Sequence, residues 1–328
     1  MSVSSKSPAS IVRESVQIAL EALPLYSHSK SPRRYTQPQL FGCLVLKTFL
    51  GLDYRGTEQF LRDSPDLRKE LRLKGIPHYT TLQKACWRMM QQKEVSQLLQ
   101  TTVRRYVVKK KSAPLEASDR LHFKLTAIDS TGFQSHHVSE YFAYRRGTIR
   151  GEIGKVWRRR YPKLWTLVDC ESHLILSLHT GRGPGSDLEG FVPTLVACHP
   201  FVSFDVLLAD AGFDCEASHE IVHKLFDAKA LIPPTRTPKR NPVKAKKPFR
   251  QKMARLFRDG SPKQYRSRWQ VETVVSMLKR NLGQALSARG YASQSIEMML
   301  LSITHNIQII FYISIFSTEH TGGSFISV

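Results

Sequence analysis

Paired cysteines and an apolar stretch in the opening residues are both missing from this sequence. The five cysteines are scattered and none forms a Cys-x-x-Cys pair, so the sequence supports neither a disulfide framework nor a zinc knuckle. The opening residues, MSVSSKSPAS, lack the apolar stretch of a secretory signal. No internal repeat is apparent. We therefore expect a cytoplasmic protein whose stability depends on an ordinary apolar core.

Acidic residues are also scarce. The 328 residues include 49 Lys and Arg but only 27 Asp and Glu, which leaves a net charge of +22. Such an excess destabilises a compact chain by self-repulsion unless a polyanion is bound. Nucleic acid is the leading candidate, an anionic membrane surface is the second, and a basic but merely solvated surface is the alternative without a partner. The length and the hydrophobic content of 41% predict roughly two domains with a real core.

Charged residues are absent from one long run near the C-terminus. Residues 300–317 contain no Lys, Arg, Asp or Glu, and the run is long enough to be mistaken for a membrane span. His305, Asn306 and Gln308 would be costly in lipid. We therefore predict a buried helix, no membrane partner, and a flexible tail over residues 318–328.

Helical signals fill the first third of the chain. Capping residues followed by apolar positions at helical spacing predict four short helices: 39–50 behind the cap Thr36, a segment around 57–61, one opening at Ser64-Pro65, and one capped by Thr80 with Gln83. Short helices joined by tight turns favour an all-α, helix-turn-helix-like DNA-binding region. Residues 1–116 hold 20 Lys and Arg and 9 Asp and Glu, a net of +11, which suits phosphate contact. The alternative is a plain helical cap on the domain that follows.

After residue 116 the periodicity changes from helical to alternating. Apolar and polar residues alternate over 121–129, which is typical of a half-buried strand that ends at Asp129. Residues 163–168 and 174–179 predict a hairpin, and apolar strands at 206–209 and 230–232 flank a helix over 216–226. Strands in a hairpin followed by strands that alternate with helices indicate an α/β fold with a mixed sheet flanked by helices. We assign residues 117–317 to this domain.

One segment of that domain is far more basic than the rest. Residues 236–268 carry 13 Lys and Arg and a single acid, Asp259, a net of +12. Four prolines interrupt the segment, and we predict a largely irregular basic loop over residues 236–264. A second basic group, predicted to face DNA, comprises His136-His137, Arg145-Arg146 and the arginines 158–160.

Carboxylates follow two of the predicted strands. Asp129 ends LTAID and Asp210 ends LLAD, and ligands of open α/β sheets bind at the carboxyl ends of strands. If Glu272 on a later helix joins them, three carboxylates converge, and they repel one another unless cations are present. Oxygen ligands favour Mg²⁺ or Mn²⁺, and two such ions activate a nucleophile and stabilise the leaving oxygen of a phosphodiester.

Each acid also has an ordinary structural interpretation. Asp129 opens an Asp-Ser-Thr-Gly sequence that is typical of a turn, and Asp210 is able to hydrogen-bond the loop that follows it. Asp169 and Asp214 are rival acids with similar explanations, as a turn residue and a helix-start residue. The spacing alone therefore leaves the set of three undecided.

The run YRSRWQVETVVSMLK places on one face of a predicted helix four functional side chains: Tyr265, Arg268, Glu272 and Lys279. Because a helix advances about 100° per residue, these positions fall within about 60° of one another. A carboxylate flanked by cations suits a site that holds a metal ion and grips phosphates. The alternative is a solvated face with an i,i+4 ion pair.

Two further patterns have competing interpretations. Trp269 either stacks on an unpaired base or anchors its helix in the core, and we favour the buried anchor. Cys215, His219 and His223 have a spacing compatible with zinc on a helix, but no fourth ligand is evident.

The order of the three acids and the Y-x2-R-x3-E-x6-K spacing resemble bacterial insertion-sequence transposases of the DDE type with the YREK signature. The resemblance extends from about residue 35 to residue 310. It includes, in the family's usual order, YRGTEQFL, IPHYTTL, IDSTGF, LLADAGFD, WQVETVVSMLKRNLG and HNIQII.

The resemblance implies a ribonuclease-H-like catalytic domain and DNA transposition. By position, Asp129, Asp210 and Glu272 are then the catalytic residues and the ligands of two Mg²⁺ or Mn²⁺ ions. Three side chains are expected to contact DNA phosphates: Tyr265, Arg268 and Lys279. The implied partners are double-stranded DNA, as transposon ends and target, and a second copy of the chain in a synaptic dimer at the bacterial nucleoid. The alternatives are a catalytically silent DNA-binding relative and a related structure-specific nuclease.

Overall fold

The computed structural model of the chain describes residues 7–111, 119–135, 161–235, 247–258 and 260–321. The chain groups into two compact units. The helical unit comprises residues 1–121 and 299–328, and the sheet unit comprises residues 122–298. The basic group predicted within 136–160 and the first part of the predicted basic loop, 236–246, lie outside the described residues.

The described part of the helical unit opens with helices α1 Pro8–Ala22, α2 Gln37–Phe49, α3 Tyr54–Asp63, α4 Pro65–Glu70, α5 Tyr79–Met89 and α6 Gln92–Lys111. The four predicted helices correspond to α2 through α5, and the predicted capping box of Thr36 and Gln39 is confirmed. The sequence argument missed α1 and α6, and it named the wrong cap for α5, whose N-cap is His78 instead of Thr80. The helix-turn-helix character of this region stays a prediction.

The described strands are β1 Leu121–Gly132, β2 Gln134–Ser135, β3 Tyr161–Asp169, β4 Ile175–Gly183, β5 Val202–Leu208, β6 Lys229–Leu231 and β7 Ala285–Leu286. Five of them form one sheet in the order β4-β3-β1-β5-β6, and β2 pairs with β7 separately. Strand β3 is antiparallel to both β1 and β4, whereas β5 and β6 are parallel. The predicted mixed sheet and the predicted hairpin of β3 and β4 are therefore confirmed.

The helices of the sheet unit are α7 Leu188–Cys198, α8 Glu216–Phe226, α9 Pro248–Leu256 and α10 Trp269–Leu282. Helix α9 lies within the predicted basic loop, so the prediction of irregular structure is wrong for Pro248–Leu256. Pro248 takes the first helical turn, where its missing N–H removes no bond. The Glu216 carboxylate accepts hydrogen bonds from the N–H groups of Phe249 and Arg250, at 2.9 and 3.1 Å, and so satisfies the free donors of that turn.

The last helix is α11 Tyr291–Thr321. Among the described helices, it alone is long and apolar enough over Tyr291–Ile313 to cross a membrane, but 78% of its most apolar stretch is buried inside the protein. The predicted buried helix is therefore confirmed. One of its buried polar residues pairs with the helical unit: Asn306 Nδ2 donates to Thr102 Oγ1 at 3.0 Å.

The structure divides the chain differently from the predicted limits of 117 and 317. Residues from 299 onward group with the first 121 residues, because buried contacts such as that of Asn306 with Thr102 tie α11 to α6. Helix α11 also continues to Thr321, past the predicted start of the tail at 318. Residues 322–328 lie outside the described residues.

Candidate active site

Asp129 and Asp210 belong to neighbouring strands that run in the same direction. The hydrogen bonds from His122 to Ser203 and from Thr126 to Val206 advance along β1 and β5 together. Asp129 follows Thr126 by three residues, and Asp210 lies two residues beyond the end of β5. Both carboxylates therefore stand at the same end of the sheet, where open α/β sheets bind their ligands.

The local structure holds one oxygen of each carboxylate. Asp129 Oδ1 accepts the N–H of Ser130 at 2.8 Å, and Asp210 Oδ1 accepts the N–H of Gly212 at 2.8 Å. Asp210 thereby caps a single 3₁₀ turn, Ala211–Phe213. The sequence predicted that β1 ends at Asp129, and this prediction is wrong. Strand β1 continues to Gly132, because residues 130–132 keep pairing with β3.

Arg268 connects Asp129 to Glu272. Its Nη2 donates to Glu272 Oε1, and its Nη1 lies 3.8 Å from Asp129 Oδ2. Glu272 lies in the first turn of α10, whereas Arg268 ends a 3₁₀ helix, Lys263–Arg268, that leads into it. The single continuous α-helix predicted for this run is therefore wrong for its first part. The i,i+4 ion pair of the alternative interpretation is present.

The charge state of Asp129 shows how closely the acids are coupled. Burial raises its pKa to about 6, from about 3.9 in solution. The charges of Asp210 and Glu272 also raise this pKa, whereas the N–H of Ser130 and the charge of Arg268 lower it. Such effects require proximity. Three acids that are 81 and 62 residues apart in sequence thus share one electrostatic environment.

The three carboxylates do not form a closed set of metal ligands. Within the described residues, no group of three His, Cys, Asp or Glu side chains is arranged to hold one ion, and Arg268 binds Glu272 instead. The donors are nevertheless carboxylate oxygens, and burial together with the charges of Asp210 and Glu272 raises the pKa of Asp129. A hard divalent cation such as Mg²⁺ or Mn²⁺ stabilises charged carboxylates in such a setting. The donors are therefore of the chemical type that such an ion binds, and their assignment as a metal site stays a prediction.

Tyr265 lies in the same environment, in the 3₁₀ helix. Burial raises the pKa of its half-buried phenol, the Arg268 charge lowers it, and the charges of all three acids raise it. Its ring meets Phe257 edge-on, with the ring centroids 5.1 Å apart. The phenol is therefore close to the carboxylates, although its predicted contact with a DNA phosphate stays a prediction.

Lys279 reaches back from α10 to the end of β1. Its Nζ donates to Thr131 Oγ1 at 2.7 Å and to the carbonyl oxygen of Gly132 at 2.8 Å. It also lies 5.1 Å from the centroid of the Phe133 ring, and burial lowers its pKa. The ammonium is thus held just beyond Asp129, and its predicted role as a phosphate contact is untested.

The two rival acids have structural partners. Asp169 Oδ2 accepts the N–H and the hydroxyl of Ser172, at 2.8 and 2.6 Å, as its interpretation as a turn residue predicted. Asp214 forms two hydrogen bonds with Arg250, at 2.9 and 2.7 Å, and accepts the N–H of Thr235 at 2.9 Å. It links α9 to the segment before α8, and it is not the helix-start residue that we expected, because the N-cap of α8 is Cys215.

Two of the three residues whose spacing is compatible with zinc make local contacts. Cys215 Sγ lies 3.0 Å from Ser218 Oγ, and the rings of His219 and Phe249 are parallel with centroids 6.0 Å apart. The first contact lies within the start of α8, and the second packs α8 against α9.

Sequence reasoning misjudged two residues near the site. Trp269, predicted to be a buried anchor, is 55% exposed. Asp187 was not singled out from the sequence. It accepts hydrogen bonds from Ser130, the residue after Asp129, and from Lys163. Only the sheet brings these side chains together, and no local pattern marks them.

A mixed sheet with carboxylates gathered at one end defines a class of α/β domains that bind their ligands there. Residues 121–307 match the model of a family described as "Transposase DDE domain". The match covers more than half of the chain, and the chain belongs to this family. No curated protein matches it.

The family assignment confirms the coarser part of the sequence prediction. The chain is a DDE-type transposase by family, and its mixed α/β architecture fits a ribonuclease-H-like domain. DNA is the partner that this family implies. The YREK signature, the origin in a bacterial insertion sequence and the individual roles of the site residues stay predictions.

Proposed function

We propose that the protein is an active transposase of an insertion sequence. Its helical unit binds the terminal inverted repeats, and its sheet unit cleaves DNA at the transposon end and joins the resulting 3′-hydroxyl to target DNA. The observation that carries this proposal is geometric: Asp129 and Asp210 stand at the same end of the sheet, and Arg268 lies between Asp129 and Glu272. Cleavage hydrolyses a phosphodiester to a 3′-hydroxyl and a 5′-phosphate, and joining exchanges one phosphodiester for another. Neither step therefore requires a nucleotide cofactor or a covalent enzyme intermediate.

In this proposal, Asp129, Asp210 and Glu272 hold two Mg²⁺ or Mn²⁺ ions. Bound divalent ions supply the Lewis acidity that activates a water or a 3′-hydroxyl and stabilises the leaving oxygen. Arg268 exchanges its carboxylate partner for a phosphate oxygen of the DNA, which a guanidinium binds through paired hydrogen bonds. Tyr265 and Lys279 contact phosphates beside it. The phenol lies near the acids, and the ammonium is fixed beyond Asp129.

Helix α5 supports DNA binding by the helical unit. Its buried positions include Leu82, Ala85, Cys86 and Met89, which leaves an exposed face formed by Gln83, Lys84, Trp87 and Arg88. The helix contains no acidic residue. Amide, ammonium and guanidinium groups on one helix face are the donors that read base edges and bind phosphates in the major groove.

A cavity of about 320 Å³ borders the same helix. Its lining includes Tyr26, Arg34, Tyr35, His78 and Arg88, and none of the described residues that line it is acidic. Positive groups and aromatic rings together favour a nucleic-acid strand. Arg88→Gln should therefore weaken binding to the inverted repeat and lower the slope of log K against log salt by about 1. Lys93→Gln, an exposed change on α6, is the control, and an equal loss in both variants would assign no special role to Arg88.

The decisive test is a gel-shift assay and a nicking assay on the DNA that flanks the gene, with and without Mg²⁺. Asp129→Asn, Asp210→Asn and Glu272→Gln should each bind this DNA and nick it at least roughly 100-fold more slowly, because electrostatic stabilisation of a phosphoryl transition state is worth several kcal/mol. Glu220→Gln, a surface change on α8, should nick normally. Full activity in any of the three variants would remove that residue from the site.

The same pair of assays distinguishes the alternatives. DNA binding without nicking by the wild-type chain would indicate a catalytically silent DNA-binding relative. Cleavage of branched DNA without strand joining would indicate a structure-specific nuclease. Under the proposed function the protein acts in the cytoplasm at the nucleoid, and two copies assemble on paired transposon ends.

A further inference from the structure

A fourth carboxylate, Asp187, contacts the segment that carries Asp129. Its Oδ1 accepts hydrogen bonds from Ser130 Oγ and from Lys163 Nζ, the latter at 2.7 Å. The N–H of Ser130 in turn donates to Asp129 Oδ1 at 2.8 Å. Ser130 therefore joins the two carboxylates: its hydroxyl donates to Asp187, and its backbone N–H donates to Asp129. The carbonyl oxygen of Asp187 accepts Trp165 Nε1 at 2.7 Å, which fixes the start of α7 against β3.

Asp187 also borders the turn that carries Asp210. A Cβ atom placed on Gly212 would lie 3.0 Å from Asp187 Oδ2 and 3.0 Å from Asp210 Oδ1, so both oxygens adjoin the same point. The N–H of Gly212 donates to Asp210 Oδ1 at 2.8 Å. The absence of a side chain at Gly212 thus allows the two carboxylates to flank one backbone position.

Lys163 provides the compensating charge. Its side chain is 6% exposed, and Nζ donates to Asp187 and to the carbonyl oxygen of Gly185, at 2.7 and 2.9 Å. It lies 4.8 Å from the centroid of the Trp165 ring. A buried ammonium with these partners is fixed in place. Lys163 therefore holds Asp187 where it meets both strand ends.

We propose that Asp187 is a positioning residue of the carboxylate site. It fixes the end of β1, which carries Asp129, against the turn that carries Asp210. The inference rests on the proposed function, because the site that it positions is the proposed metal site. Asp187 acts through its neighbours: its Oδ1 is committed to Ser130 and Lys163. Residues that orient metal ligands in this way typically contribute about 10–100-fold to metal affinity.

The test is a Mn²⁺ titration of the full chain without DNA, with free Mn²⁺ followed by electron paramagnetic resonance and the fold checked by circular dichroism. Ser130→Ala removes the link to Asp129 and keeps the ion pair of Asp187 with Lys163. Asp187→Asn removes the charge. Each should weaken Mn²⁺ binding about tenfold or more. The matched control is Glu14→Gln, which removes a half-buried carboxylate with two cationic partners in the helical unit and should leave Mn²⁺ affinity unchanged.

A purely structural role for Asp187 gives a different pattern. If the residue only neutralises Lys163, the double variant Asp187→Asn with Lys163→Met regains wild-type Mn²⁺ affinity and Ser130→Ala binds normally. That result would overturn the inference. Weak Mn²⁺ binding in both the double variant and Ser130→Ala supports the positioning role. If Asp187→Asn does not fold, Ser130→Ala decides the question alone.

Failure of the inference is distinguishable from failure of the proposed function. Mn²⁺ binding that Asp129→Asn abolishes, but that Ser130→Ala and Asp187→Asn leave unchanged, refutes the positioning role alone. A wild-type chain that binds no Mn²⁺ refutes the proposed metal site and the inference with it. The Mg²⁺ dependence of nicking adds a second readout: a positioning defect raises the Mg²⁺ concentration for half-maximal rate, whereas partial unfolding lowers the rate at every concentration.

Discussion

Removing the charge of Asp129 should stabilise the metal-free protein at neutral pH. Burial, aided by Asp210 and Glu272, raises the pKa of this carboxyl to about 6, against about 3.9 in an unfolded chain. The folded protein therefore binds the proton more tightly than the unfolded chain does, and ionisation of Asp129 opposes folding. The substitution Asp129→Asn keeps the shape and removes the charge.

The size of the effect follows from the two pKa values. They differ by about 2 units, and each unit corresponds to about 1.36 kcal/mol, so the upper bound is about 3 kcal/mol. The actual gain should be smaller, because the side chain is 22% exposed and water screens its neighbours. Between about pH 4 and pH 6 the folded state retains a proton that the unfolded chain has released. The free energy of unfolding of the wild type therefore falls across this window as the pH rises, and this contribution is constant above it.

The measurement is urea unfolding of the wild type and Asp129→Asn with a chelator present, at pH 4.5 and pH 7.5. The variant should be more stable at pH 7.5, and most of its advantage should disappear at pH 4.5. Glu220→Gln removes an exposed carboxylate that lies 3.9 Å from Lys224 and should change the free energy of unfolding by only a few tenths of a kcal/mol. A variant no more stable than wild type at pH 7.5 would refute the argument that crowded charge destabilises this site.

Two further substitutions test the signature segment. Arg268→Gln should tighten Mn²⁺ binding about tenfold. In the wild type, the ion must displace the i,i+4 pair of Arg268 with Glu272, worth about 0.5 kcal/mol, and the 3.8 Å contact of Arg268 with Asp129, worth about 1 kcal/mol at high dielectric. The variant lacks both interactions. The exposed Arg266→Gln is the control, and equal affinities would show that Arg268 does not compete with the ion. Trp269→Ala should change the free energy of unfolding by less than about 0.5 kcal/mol, because the indole is 55% exposed. If the indole stacks on an unpaired base, the same variant loses about 1–3 kcal/mol of binding to DNA ends with unpaired nucleotides, and Trp269→Phe recovers most of it. Unchanged binding would exclude that contact.

The local pattern of apolar and polar residues predicted the strands and helices that are buried in a regular way. Alternation located β1, and the apolar run before Asp210 located β5, because a strand between two covered faces requires such residues. The capping box of Thr36 was also predictable, because its partner Gln39 lies three residues away. The three acids could be proposed for the same reason, since each stands near the end of an element that local sequence defines.

Other features depended on partners that are distant in sequence. The four prolines of the basic segment were interpreted as breaks in regular structure. One of them, Pro248, instead starts α9, whose first turn is held by Glu216, 32 residues earlier. Trp269 lies at a helix position typical of a core anchor, but burial requires an opposing surface, and the indole is exposed. Asp187 meets Ser130, which is 57 residues away, and only the sheet order makes that contact.

Two cations balance the acids of this site, and their surroundings assign them different roles. Lys163 is almost fully buried and donates to both a carboxylate and a carbonyl oxygen, so its removal from Asp187 would leave a buried charge unpaired, at a cost of about 3–5 kcal/mol. Arg268 pairs with Glu272, whose side chain is 55% exposed, and such a pair is worth less than about 1 kcal/mol. Lys163 is therefore a permanent part of the fold. Arg268 is the cation that a metal ion can displace and that a DNA phosphate can then engage, so changes at the site on binding should begin with its side chain.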